Sequence, residues 1–125
     1  KDGYPIIEKV TVAADCGILV NPTGAKNQVE GGVLDGIGHA MYADFSFDDG
    51  KPAYQNFDRY RLIRMQETPK VEVHFVQNEE RPTGLGEPGL PPAGGAVANA
   101  IHAALGKRLY NQPFVNELKK SNVLG

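Results

Sequence analysis

Apolar and polar positions alternate through Ile7, Glu8, Lys9, Val10, Thr11 and Val12, the period of a half-covered strand, and this strand ends near Asp15. The spacing then lengthens. Ala25, Val29, Val33, Ile37, Ala40 and Met41 recur at helical intervals, behind Asn21 as a suitable N-cap and Pro22 as a suitable first helical residue. The segment 45–57 alternates again around Asp48-Asp49-Gly50 and predicts a hairpin. The stretch "DRYRLIRMQETP" keeps neither period, and Pro69 ends it. In "KVEVHFVQN" the strand pattern is clearest, with Val71, Val73 and Phe75 on one side and Glu72 and His74 on the other. After a Gly/Pro-rich loop, a second helix opens at Pro91 or Pro92, is expected to bury Val97, Ala100, Ile101, Ala104 and Leu105, and is capped by Gly106. The tail "PFVNELKKSNVLG" adds a short amphipathic helix. This order predicts an α+β fold, a small mixed or antiparallel sheet with two main helices packed against it.

Composition narrows the function classes. The 125 residues suit a single domain, 1–125. A net charge of −2 gives no electrostatic reason for a nucleic-acid or anionic-membrane partner. The apolar runs are far shorter than the roughly 20 residues a membrane-spanning helix needs. Cys16 is the only cysteine, so neither an internal disulfide nor a cysteine metal cluster is available. The chain starts Lys1-Asp2-Gly3 without Met and enters strand-like sequence almost at once, which reads as a piece of something longer. Nothing in it chooses between cytoplasm and periplasm.

Two places break the ordinary rules of their elements. The first helix carries Gly24, Gly31, Gly32, Gly36 and Gly38, and each of the four between 31 and 38 costs about 1 kcal/mol relative to alanine in a helix interior. Tight packing against a neighbouring element explains such a cost; so does close approach of a cofactor or larger partner. Gln28, one turn earlier, carries two donors and an acceptor beside those glycines. The second place is "TGLGEPGLPPAGG", where Glu87 stands between Gly86 and Pro88. Pro88 pushes Glu87 out of the helical region, and Gly84 and Gly86 let the backbone come near a ligand. The following helix points its positive end back toward the loop, favouring an ionised carboxylate, which is what a general base requires. His39, His74 and His102 have no metal-motif spacing, and Ser46 and Ser121 lack the context of a nucleophilic triad. An anion site at the loop and helix start is a weaker alternative, because no Lys or Arg lies between Pro82 and His102.

Taken together, "DCGILVNPTGAKNQVEGGVLDGIGHAMY", "NFDRYRLIRMQETPKVEVHFV" and "TGLGEPGLPPAGGAVANAIHAALGKRL" resemble, in that order, the C-terminal part of the molybdenum-binding subunit of the xanthine dehydrogenase/aldehyde oxidase family. The middle stretch is most like the isoquinoline 1-oxidoreductase β-subunit branch. The resemblance covers about residues 4 to 114. It implies that Glu87 is the general base, removing a proton so that a water-derived oxygen attacks an electron-poor carbon. It implies that Gln28 contacts the pterin of the molybdenum cofactor, with Gly31, Gly32 and Gly86 allowing close approach, and that this chain supplies no metal ligand. It further implies iron–sulfur clusters on a partner subunit or domain, the remainder of the molybdenum-binding subunit as a partner, and an N-heterocycle or aldehyde as substrate. Since so much is contributed from elsewhere, the chain is expected to be inactive alone. A non-catalytic α+β interaction module that kept only the fold is the alternative. Convergence of Gln28 and Glu87 on one cleft favours catalysis; opposite faces favour the module.

Overall fold

A computed structural model of the chain describes residues 4–120. Strand β1 (Lys9–Ala14) leads to helix α1 (Pro22–Met41), then to a hairpin of β2 (Phe47–Asp48) and β3 (Lys51–Pro52). A 3-10 turn at Met65–Glu67 precedes β4 (Lys70–Phe75), which is followed by α2 (Pro91–Leu105) and α3 (Phe114–Lys120). The predicted tail helix is therefore present up to Lys120, and the rest of that tail lies outside the described residues.

The expected sheet is realised as two separate ribbons. β1 pairs with β4 in parallel, from Lys9 opposite Lys70 to Ala14 opposite Phe75, while β2 and β3 pair antiparallel. Parallel pairing follows from the connection, because a long crossover containing a helix returns the chain to the same end of its partner strand. The hairpin turns where the composition places it, with positive φ at both Asp49 and Gly50. Its two strands are only two residues each and exposed.

Local chemistry accounts for the helix ends. The Asn21 side chain accepts a hydrogen bond from the Gly24 N–H at 3.0 Å, and Pro22 opens α1 at a position where no intrahelical N–H is needed. Gly106, at φ +68°, closes α2 and donates its N–H to the His102 carbonyl at 2.8 Å. The core is an α1–α2–α3 contact. Val29, Val33, Ile37, Ala40 and Met41 meet Ala93, Val97 and Ile101, closed off by Leu109, Phe114 and Leu118. Val10, Val12, Val73 and Phe75 pack against it from the β1–β4 ribbon.

One packing expectation needs correction. Ala93, Val97 and Ile101 form the buried stripe of α2, whereas Ala100, Ala104 and Leu105 are exposed. Ala100 and Ala104 sit beside the i, i+4 stripe rather than on it. Leu105 continues the stripe but lies in the last turn, where it is 47% exposed.

Candidate functional site

Since β1 and β4 are parallel, both end at the same edge, and the chain leaves each strand toward the same region. Crevices beyond the carboxyl ends of parallel strands are where open α/β sheets bind ligands. The two exits are tied together. Ile18 N–H donates to the Glu80 carbonyl at 3.0 Å and Thr83 N–H to the Cys16 carbonyl at 2.9 Å. Asp15 Oδ1 accepts from the Gly17 N–H at 3.1 Å and from Asn78 Nδ2 at 2.9 Å. These bonds, that from Gly17 foremost, hold the Asp15 carboxyl below its ordinary range. Gly17 has φ +70°, and a Cβ there would lie 2.7 Å from the Glu80 carbonyl oxygen, so the junction admits glycine only.

From Thr83 the chain enters the loop that carries Glu87, and the loop lies directly on α1. Leu90 N–H bonds back to the Glu87 carbonyl at 3.0 Å, closing a turn. Gly89 is buried, and a Cβ on it would sit 3.1 Å from the Val29 carbonyl oxygen. On α1, a Cβ at Gly36 would meet the Leu90 carbonyl oxygen at 2.5 Å and Ala93 Cβ at 2.8 Å. A Cβ at Gly38 would press on Ile63 Cγ2 at 3.3 Å. Packing therefore explains Gly36 and much of Gly38. It does not explain the glycine pair before them. A Cβ at Gly32 would make ordinary contact with Gly89 Cα at 3.6 Å, and one at Gly31 would meet nothing within 4 Å.

Gln28 spans the gap between helix and loop. Its Nε2 donates to the Gly86 carbonyl at 3.0 Å, joining positions 58 residues apart in sequence. Gln28 and the peptide preceding Glu87 are thus on one face, and Glu87 is exposed there. Gly84 and Gly86 also have open space where a Cβ would be. The face offers uncovered backbone at Gly31, Gly84 and Gly86, and Gln28 keeps one acceptor and a second N–H beyond the bond to Gly86. That donor set suits a flat polar heterocycle. Among the described residues no group of three His, Cys, Asp or Glu is placed to hold a metal.

The α2 N-terminus is badly equipped for an anion. Pro91 and Pro92 bring no N–H, Leu90 N–H is used by Glu87, and Ala93 N–H bonds to the Leu90 carbonyl at 3.2 Å. His39 is exposed and lies 3.6 Å from Asp35 along α1.

The aperiodic stretch 58–69 hides a cluster that periodicity could not reveal. The Arg61 guanidinium stacks 3.8 Å from the Tyr42 ring centre and pairs with Glu67, whose other oxygen accepts from the Arg64 N–H at 2.9 Å. Burial first, then the Glu67 charge, pushes the Tyr42 hydroxyl above its ordinary range. A cleft of about 740 Å³ beside this cluster is lined by Ile37, Arg59, Arg61, Asn116 and Lys119 among others, and includes neither Gln28 nor Glu87.

Known proteins bear on this geometry directly. The sequence profile of the molybdopterin cofactor-binding domain matches residues 1–69. A membrane-bound aldehyde dehydrogenase (pyrroloquinoline-quinone) of Gluconacetobacter polyoxogenes is 37% identical over 89% of this chain and 14% of its own length. The nicotine 6-hydroxylase large subunit of Paenarthrobacter nicotinovorans is 34% identical over 92% of this chain and 15% of its own. Isoquinoline 1-oxidoreductase subunit beta of Brevundimonas diminuta is 29% identical over 92% of this chain and 15% of its own. The crystal structure of quinoline 2-oxidoreductase from Pseudomonas putida 86 superposes with a TM-score of 0.82 at 20% identity, covering 94% of this chain and 16% of that one, a likeness of fold. The chain thus spans about one-seventh of the length of these relatives. With a profile match over more than half its residues and relatives that include xanthine dehydrogenase molybdenum-binding subunits, the chain belongs to the molybdopterin cofactor-binding domain family of the xanthine dehydrogenase/aldehyde oxidase type.

Proposed function

We propose that this chain forms part of the molybdenum-binding subunit of a hydroxylase that oxidises an N-heterocycle or an aldehyde with water-derived oxygen, with Glu87 as general base. The observation that carries the proposal is the Gln28–Gly86 hydrogen bond, which brings the glutamine of the glycine-bearing helix to the peptide beside Glu87. When bound, the molybdenum cofactor supplies the two-electron acceptor and the activated oxygen. Gln28, through its remaining amide atoms, and the backbone at Gly31, Gly32 and Gly86 would hold the pterin; this chain would supply no metal ligand. Glu87 then has two tasks: to be ionised, and to face the substrate. The loop serves the second, because Pro88 restricts the Glu87 backbone and Gly89 seats the turn on α1. Iron–sulfur clusters on a partner subunit or domain would carry the electrons away.

The test is the complete subunit, produced with its iron–sulfur partner, as wild type and as Glu87→Gln. The variant is expected to keep its molybdenum and lose at least about 100-fold in turnover, the scale set by removing a positioned general base. Turnover within a few-fold of wild type would remove Glu87 from the chemistry. The 125 residues alone, assayed with an N-heterocycle or aldehyde and an artificial electron acceptor, are expected to show no activity.

A further inference from the structure

Gln28 does something in this fold that a cofactor contact does not require. Its Nε2 donates to the Gly86 carbonyl at 3.0 Å. The acceptor belongs to the peptide unit that links Gly86 to Glu87, so the bond acts on the backbone from which the carboxylate hangs. Apart from Leu85, which packs partly buried against the core, that end of the loop has little to hold its backbone direction. Gly84 and Gly86 have no neighbours within 4 Å of a built Cβ, and glycine by itself imposes almost no backbone preference. The other end of the loop is fastened independently, by Gly89 against Val29 and Leu90 over Gly36. Upstream, the Thr83 N–H to Cys16 carbonyl bond fastens the entry. Between Thr83 and Gly89 the loop meets the body of the fold through Leu85, partly buried against the core cluster, and through the Gln28 bond, the polar tie to the 20-residue helix α1.

We infer that Gln28 is a positioning residue for Glu87, acting through the Gly86 carbonyl. The catalytic half of this inference rests on Glu87 being the base; the holding of the loop does not. A donor on α1 that fixes the preceding peptide restricts the directions open to the carboxylate. A ligand engaging the free part of the Gln28 amide would order the same loop further, so cofactor and base would be aligned by one side chain.

The discriminating pair of substitutions is Gln28→Met, close in length but without a donor, and Gln28→Lys, which keeps an N–H donor on a similar reach. Amide hydrogen exchange over residues 84–90 is measured on the complete subunit in cofactor-free form. Gln28→Met is expected to speed exchange there about fivefold, the weight of one net hydrogen bond, and Gln28→Lys to stay within about twofold of wild type. Equal exchange in wild type and Gln28→Met, or equal loosening in both variants, would overturn the inference. In the loaded enzyme, Gln28→Met should lower kcat per bound molybdenum about fivefold with KM nearly unchanged. A kcat loss that merely tracks molybdenum content would leave only a cofactor contact and also overturns it. Glu87→Gln separates the two ideas: it should leave loop exchange unaltered. If that variant keeps full turnover, the base assignment falls, while the Met and Lys exchange rates still decide whether Gln28 holds the loop.

Discussion

The four glycines between positions 31 and 38 of α1 carry two different meanings. Gly36 lies beneath the Leu90 carbonyl and Ala93, where backbone and a helix-borne side chain leave no room for a Cβ. Gly36→Ala is therefore expected to destabilise the chain by about 1–3 kcal/mol, the usual range for overpacking. Gly31 faces open space, so Gly31→Ala should stabilise it by up to about 1 kcal/mol through helix propensity. Urea midpoints of the two variants check the opposite signs. If Gly31 leaves room for the pterin, the stabilised variant should also bind less cofactor in the complete subunit, a trade of stability against function. From sequence alone the four positions look alike, because propensity weighs each residue without knowing what lies across from it.

Elements that were legible are those whose ends are set locally. Asn21, Pro22 and Gly106 mark helix ends through their own side chains or φ, and the structure places α1 and α2 between them. The hairpin turned at Asp49-Gly50 for the same reason. The segment 58–69 was not legible, since its order comes from Arg61, Tyr42 and Glu67 meeting across elements. Helix α3 is a third case. At seven residues it is too short to hold its shape alone, and depends on Phe114 and Leu118 being buried. Leu118 is fully buried, so Leu118→Ala is expected to cost about 2–5 kcal/mol, whereas Val20→Ser at a site 79% exposed should change stability by less than about 0.5 kcal/mol. Chemical denaturation of both variants tests whether α3 belongs to the cooperative core.

Across the whole molecule, acid should be a specific weakness. Lys70 on the same strand, and then Lys9 across the parallel ribbon, draw the Glu72 carboxyl down from 4.5 to about 2. The Asn111 N–H, with the Tyr110 N–H behind it, lowers Glu117, and Asp15 is lowered as described. A carboxyl whose native pKa is depressed stabilises the fold when ionised. That contribution is complete above the unfolded-state value and disappears as pH falls through the native one. Stability is therefore expected to decline between about pH 4.5 and pH 2, with Glu72→Gln flattening part of the decline. Urea midpoints against pH measure this, and raised salt should shrink the Glu72 share because the Lys9–Glu72–Lys70 group is solvent-exposed. Exposed apolar side chains such as Phe47, Phe57 and Met65 fit a chain that spans one-seventh of its relatives' length.

Local order was thus written in the chain itself: strand and helix periods, caps, the Asp49-Gly50 turn, and the motifs bearing Gln28 and Glu87. Each depends on neighbours within a few residues, where spacing and capping chemistry act directly. Three features were not. The parallel register of β1 and β4, the seating of the 84–90 loop on Gly36, and the bond from Gln28 to Gly86 join segments tens of residues apart. Such pairings are selected by the shape and hydrogen-bonding capacity of surfaces that exist only after the helices have packed. For that reason the sequence could single out Gln28 and Glu87 as candidates, and the packed chain was needed to bring Gln28 to the peptide beside Glu87.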